Sequence, residues 1–85
     1  MSIVFEDIHL HRILINFDYG TTVQEMLMKY LQRIEKPELF NTDKIEFHYN
    51  SKKFNWFDNT KIEQKFNFPI GIPSIFVNNV GNSNF

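Results

Sequence analysis

The stretch RILINFDYGTTVQEMLMKYLQRIEKP, residues 12–37, changes its hydrophobic period in the middle, which indicates a strand followed by a helix. Its first seven residues alternate, with Ile13, Ile15 and Phe17 on one side, as half-buried strands do. Further on, apolar residues recur three and four positions apart, the spacing of one face of an α-helix. This apolar stripe consists of Val23, Met26, Leu27, Tyr30, Leu31 and Ile34.

The ends of this helix can be predicted from single residues. Thr22 followed three positions later by Glu25 forms the pattern of a capping box, which places the helix start next to Thr22. Pro37 predicts the end, because the residue before a proline, here Lys36, is disfavoured in the helical conformation. A helix between a strand and a proline is therefore the most definite local prediction in the chain.

The flanking segments return to strand periodicity. Residues 2–8 put Ile3 and Phe5 on one side and Val4 and Glu6 on the other, and only a short turn separates them from the strand at 12–18, so the two form a hairpin. The pattern then predicts a third strand at 44–50, a short fourth strand at 53–56, a long connection at 57–73 and a last strand at 74–80. Within that connection, the spacing of Ile62, Phe66 and Phe68 predicts a short helical turn against the core.

The composition is that of one small globular domain. The chain has 85 residues, of which 42% are hydrophobic and 16% aromatic, and ten are Phe, so a small core can bury much area per residue. We assign residues 1–80 to the domain and 81–85 to a polar tail. Cysteine is absent, and the net charge of -1 without a basic run argues against a nucleic-acid partner. Signal-peptide, transit-peptide and membrane-span patterns are not found, so we expect an intracellular protein, cytoplasmic by default, without direct membrane insertion.

Four segments in this order resemble ubiquitin-like domains. ILINFDYGTTVQEMLMKYLQRI (13–34) is similar to their second strand, threonine-capped turn and helix, and FHYNSKKF (47–54) to their third-strand signature, with Ser51 where glycine is usual. DNTKIEQKF (58–66) resembles the element before the last strand, and IPSIFVNN (72–79) resembles that strand. The resemblance implies an α+β, ubiquitin-like β-grasp fold. Its mixed four- or five-stranded sheet would have parallel first and last strands at the centre and one main helix on one face.

One helix covers only one face of such a sheet, and strand parity assigns the residues of the other face. The helix-facing set is Ile3, Phe5, Ile13, Ile15, Phe17, Val23, Met26, Leu27, Tyr30, Leu31, Ile34, Phe47, Tyr49, Phe54, Ile75 and Val77. The outward set is Val4, Glu6, Leu14, Glu46, His48, Phe76 and Asn78.

In ubiquitin the outward face carries an aliphatic patch for receptors. By resemblance, His48 stands at the position of its central isoleucine and Asn78 at that of a valine. We therefore predict a partner-binding face of a different kind, with Phe76 and Leu14 as apolar anchors, Val4 and Asn78 beside them, and His48 as a hydrogen-bonding contact. The alternative is an ordinary surface with scattered apolar residues.

Other chemistries have weaker support in the sequence. His9 and His11 could both face one metal ion, but only carboxylates could complete a tetrahedral set, so we expect no metal and no cofactor. Glu6 and Asp7 are adjacent in a strand and point to opposite faces, and no nucleophile motif or phosphate loop is present. We accordingly expect no enzymatic activity and no small-molecule substrate.

Two functions remain for a ubiquitin-like chain of this kind. The first is non-covalent association with other proteins, as a small adaptor or as a subunit of a multiprotein complex. The second is conjugation as a modifier, which in the family proceeds through a C-terminal Gly-Gly. The present sequence ends in NNVGNSNF, so conjugation would require processing at Gly81, after Val80. The first function is the one that we expect.

Overall fold

The computed structural model describes residues 1–66 and 71–80, and these form a sheet, one main helix and two short helical turns. In chain order the elements are β1 (Ser2–Asp7), β2 (Arg12–Asn16), α1 (Val23–Arg33), a 3-10 turn (Pro37–Leu39), β3 (Ile45–Tyr49), β4 (Lys52–Lys53), α2 (Ile62–Lys65) and β5 (Ser74–Asn79). Each predicted element is present. The fourth strand is shorter than predicted and lies slightly earlier. Phe68 and the tail at 81–85 lie outside the described residues.

The strands form one mixed five-stranded sheet in the order β2-β1-β5-β3-β4. Strands β1 and β5 pair in parallel at its centre, and the other neighbours are antiparallel. Helix α1 packs on one face of this sheet, so the predicted α+β architecture is confirmed, with five strands rather than four.

The N-terminus of α1 is held both by its own capping box and by a distant loop. Thr22 Oγ1 accepts from the Glu25 amide at 3.2 Å, and the Glu25 carboxylate accepts from the Thr22 amide at 2.9 Å, as predicted. The first two helical amides, those of Val23 and Gln24, donate at 2.9 Å to carbonyls of the 58–60 loop. Amides that would otherwise have no partner at a helix start are thus satisfied.

Helix α1 ends at Arg33, earlier than the stop that Pro37 predicted. The Lys36 amide donates to the Leu31 carbonyl at 2.8 Å and the Glu35 amide to the Gln32 carbonyl at 3.1 Å, which is the Schellman motif. Glu35 occupies its left-handed position with φ 62°, where glycine is usual. The helix therefore stops through its own hydrogen bonds, and Pro37 instead begins the 3-10 turn.

A two-residue turn joins β3 to β4. Asn50 and Ser51 both have positive φ, 51° and 66°, and Tyr49 pairs with Lys52 across the turn. Positive φ at both central residues defines the type I′ turn, whose twist matches that of the flanking strands. Asn at the first position suits this conformation, whereas Ser at the second does not. This turn is the one in which the family pattern has glycine.

The core lies between the sheet and α1. Its buried members are Ile3, Phe5, Ile15, Phe17, Val23, Met26, Leu27, Tyr30, Leu31, Leu39, Ile45, Phe47, Phe54, Ile62, Phe66, Ile75 and Val77. Of the predicted helix-facing set, Ile13, Ile34 and Tyr49 are only partly buried at its margin. Four buried residues were absent from that set: Leu39 and Ile45, and also Ile62 and Phe66, which the sequence predicted to contact the core through a short helical turn. No helix among the described residues has the length and apolar character needed to cross a membrane.

Candidate functional site: the outward face of the sheet

The predicted outward residues do lie together on the face of the sheet opposite α1. Strand pairing places Val4 beside Leu14 on β1 and β2, and it places Phe76 on β5 between Glu6 of β1 and His48 of β3. Asn78 pairs with Glu46 in the next row. We call this surface the outward face; it comprises Val4, Glu6, Leu14, Glu46, His48, Phe76 and Asn78.

Two large apolar side chains of the outward face are exposed. Leu14 retains 51% of its accessible surface and Phe76 retains 43%, whereas Val4 is half-buried. Val4 pairs with Ser74, two residues before Phe76, so Val4 and Phe76 are diagonal neighbours within reach of a long side chain. The apolar residues therefore form one oblique strip across three strands, from Leu14 through Val4 to Phe76.

Charged side chains surround this strip and pair with one another. Arg12 Nε lies 3.4 Å from Glu6 Oε2, and Lys53 Nζ lies 3.5 Å from Glu46 Oε2. The Nε2 atom of His48 is 3.1 Å from Glu46 Oε1, two residues away on the same strand face. The contact with His48, together with Lys53, lowers the pKa of Glu46. The rim is thus ionic and nearly balanced in charge.

A shallow depression opens beside Phe76. It has a volume of about 530 Å³ and lies between the middle of the sheet and the β3–β4 turn. Its lining residues are Glu6, His48, Asn50, Ser51, Ser74, Phe76 and Asn78. Phe76 supplies its apolar wall, and the remaining residues offer hydrogen-bond donors and acceptors. The outward face thus has an apolar centre within a polar rim.

His9 and His11, the pair that could have bound a metal ion, form hydrogen bonds with Asp7 within the turn between β1 and β2. His11 Nδ1 lies 3.2 Å from Asp7 Oδ2, and the ring centroids of His9 and His11 are 6.1 Å apart. Among residues 1–66 and 71–80, no group of three or more potential ligands is arranged to hold a metal ion. The observed role of Asp7 is structural, because its Oδ1 atom accepts the amides of both histidines and closes the turn.

Sequence reasoning missed two further apolar surface features. The turn between β1 and β2 exposes Ile8 and Leu10 by 62% and 74%. On the helix side, Phe57 is 56% exposed and packs edge to face on Phe40, which also contacts Trp56. The exposure of Ile8 and Leu10 could have been predicted, because both are apolar residues within a turn sequence. The second feature depends on a loop folding back, which local patterns do not show.

The architecture defines a ubiquitin-like β-grasp fold, and comparison with solved structures supports this. One matching structure is the solution structure of a computationally designed protein based on the template of human erythrocytic ubiquitin. It superposes with a TM-score of 0.66 over 99% of this chain and 96% of that chain, at 14% sequence identity. No protein-family model and no curated protein matches the sequence. At this identity the likeness shows the fold alone.

Proposed function

We propose that this chain is a non-enzymatic ubiquitin-like protein that acts by non-covalent association, as a small adaptor or as a subunit of a larger protein assembly. The observation that carries the proposal is the apolar strip on the sheet, in which Leu14 and Phe76 are exposed and flank the half-buried Val4. A phenylalanine that is 43% exposed in a central strand loses the free energy that burial would provide, and a partner would restore it.

The side chains of the outward face indicate which kind of partner surface would be complementary to it. A complementary surface would place an aliphatic or aromatic side chain in the depression beside Phe76. Around it, the partner would offer charges of both signs, facing the pairs Arg12–Glu6 and Lys53–Glu46. Such a rim sets orientation and association rate more than affinity, so the apolar centre would supply most of the binding free energy.

The test is a purification of the tagged full chain from its own cells, compared among three variants. Phe76→Asp puts a charge at the centre of the outward face, next to Glu6. Phe76→Thr removes the aromatic ring but keeps a residue suited to a strand. Tyr19→Asp is the matched control, because Tyr19 is an aromatic residue with 76% exposure in a loop. Circular dichroism verifies that each variant is folded.

We expect stoichiometric, unlinked partners with wild type and with Tyr19→Asp, and their loss with both Phe76 variants. Truncation of a central aromatic contact typically costs about 2 kcal/mol or more, which corresponds to a roughly thirtyfold weaker complex. Partners retained by folded Phe76→Asp would show that the interface lies elsewhere. A ladder of covalent products, or a chain trimmed to Gly81 in intact-mass measurement, would make the protein a modifier instead.

A further inference from the structure

A second cavity lies on the opposite side of the sheet, at the end where β1 stops and α1 terminates. It has a volume of about 310 Å³. Its lining residues are Asp7, His11, Ile13, Tyr30, Ile34, Lys36, Ile45, Val77 and Asn79. Three of these, Tyr30, Ile45 and Val77, are at most 5% exposed, so the cavity reaches the core rather than only the surface. A cavity of about 300 Å³ is at the small end of ligand-binding sites.

Tyr30 contributes a phenol to the lining of this cavity. The Tyr30 ring is fixed by stacking on Phe5, with centroids 4.4 Å apart, and by an edge contact with Phe47. The Tyr30 hydroxyl forms no hydrogen bond with the residues that the structure describes. Among those residues, every side-chain nitrogen or oxygen that is fully enclosed by protein does have a hydrogen-bond partner. The hydroxyl must therefore reach open space, and the cavity is the space that Tyr30 lines.

The protonation state of Tyr30 favours hydrogen-bond donation. Burial and the nearby charge of Asp7 raise the pKa of Tyr30 to about 12, and the phenol carries its proton at neutral pH, as it would at the ordinary value of 10. Because the hydroxyl reaches open space, it can donate a hydrogen bond to an acceptor of a ligand in the cavity. The cavity thus has a polar group positioned for a ligand.

Two side chains of opposite charge complete the lining of the cavity. The Asp7 carboxylate accepts hydrogen bonds from the His9 and His11 amides at 2.9 and 3.0 Å. Partial burial alone would raise the pKa of Asp7, but these hydrogen bonds have the larger effect, and the pKa is lowered. One acceptor position on Asp7 Oδ2 remains beyond the contact with His11. Lys36, half-buried, supplies the positive charge. An apolar wall of Ile13, Ile34 and Val77 lies in the same cavity.

We propose that this cavity binds a small zwitterion with an apolar side chain, of the size and chemistry of an apolar α-amino acid. The ammonium of the ligand pairs with Asp7 and its carboxylate with Lys36, while the Tyr30 hydroxyl donates to the carboxylate and the side chain packs on the apolar wall. A ligand with only one charge forms only one of these two ion pairs. The proposal is independent of the outward face, since the cavity lies on the helix side of the sheet.

The experiment is a titration of the isotopically labelled full chain with L-leucine, followed by amide NMR. Three probes each lack one feature: N-acetyl-L-leucine lacks the ammonium, isoamylamine lacks the carboxylate, and glycine lacks the side chain. We expect saturable shifts around Ile34 and Val77 with leucine, and about tenfold weaker binding of each other probe, as for loss of one charged contact.

Two conservative variants make the result specific. Tyr30→Phe removes one oxygen from the cavity and keeps the aromatic packing, so it should weaken leucine binding about fivefold. Tyr49→Phe removes a phenol at the other end of the sheet, where Tyr49 packs on Phe66, and should leave binding unchanged. No saturable shifts with leucine, equal binding of all four probes, or wild-type affinity in folded Tyr30→Phe would each overturn the proposal.

Discussion

Asp58 anchors the loop that completes the N-terminus of α1, and its ionisation should control part of the stability. Its Oδ1 atom accepts the Thr60 amide at 2.9 Å, and its Oδ2 atom accepts from Lys65 Nζ at 2.7 Å. Its backbone carbonyl accepts the Gln24 amide of the helix. Partial burial would raise the pKa of Asp58, but the bonds from Lys65 and Thr60 outweigh burial and lower the pKa from 3.8 to about 2.

The lowered pKa gives the sign and the size of the effect. Because the folded state binds the Asp58 proton more weakly than the unfolded state, the carboxylate stabilises the fold above pH 3.8, and this contribution is lost as the pH falls through about 2. The full difference corresponds to about 2 kcal/mol. Since the Lys65 side chain is 37% exposed, solvent screening reduces our expectation to about 1–2 kcal/mol at pH 7.

The perturbation is Asp58→Asn, and the assay is urea unfolding between pH 7 and pH 2. Trp56 is the only tryptophan in the chain, and its indole donates to the Thr42 carbonyl at 3.1 Å, so its fluorescence reports on unfolding. We expect Asp58→Asn to lower the free energy of unfolding by about 1–2 kcal/mol at pH 7 and by much less near pH 2. The exposed Asp43, changed to Asn, is the control and should alter stability by less than about 0.5 kcal/mol.

Two outcomes would refute this reasoning. One is an Asp58→Asn variant as stable as wild type at pH 7. The other is a destabilisation that stays the same near pH 2, because the loss would then come from packing or strain rather than from charge. Lys65→Met should reproduce the pH dependence, since it removes the other half of the ion pair.

Two backbone positions predict stabilising substitutions. Ser51→Gly should raise the free energy of unfolding by about 0.5–1 kcal/mol and the Tm by roughly 3–6 °C in thermal unfolding, because Ser51 has φ 66° in the type I′ turn. The control Ser74→Gly, in β5, should instead destabilise the fold. No gain in stability for Ser51→Gly would contradict the turn assignment. Glu35→Gly should stabilise by a similar amount, since Glu35 has φ 62° and a negative charge at a helix C-terminus. Glu35→Gln removes only the charge, and a gain equal to that of glycine would show that the backbone conformation is not the cause.

Much of the fold was predictable because its signals are local. The change from period two to the helical stripe located β2 and α1, and the pair Thr22 and Glu25 identified the helix start. The resemblance supplied a sheet covered on one face by a helix, and strand parity then placed Leu14 and Phe76 on the other face, because neighbouring residues of a strand point to opposite sides.

The rest depends on contacts between distant segments. The burial of Leu39 arises where the 3-10 turn meets α1, although its sequence surroundings are those of a loop. The helix ends early through a left-handed Glu35, a residue type that gives no signal for that conformation. The cavity at Tyr30 exists only because residues of four strands meet the end of α1. In the sequence, Tyr30 is indistinguishable from the other members of the apolar stripe.

Hydroxyl-radical footprinting of the free chain and of its native assembly would show directly whether the outward face is the interface. We expect Phe76 and Leu14 to be oxidised in the free chain and protected in the assembly, whereas Tyr19 should react equally in both. Unchanged oxidation of Phe76 and Leu14, together with protection of Phe57 on the helix side, would contradict the account and move the interface to the other side of the molecule.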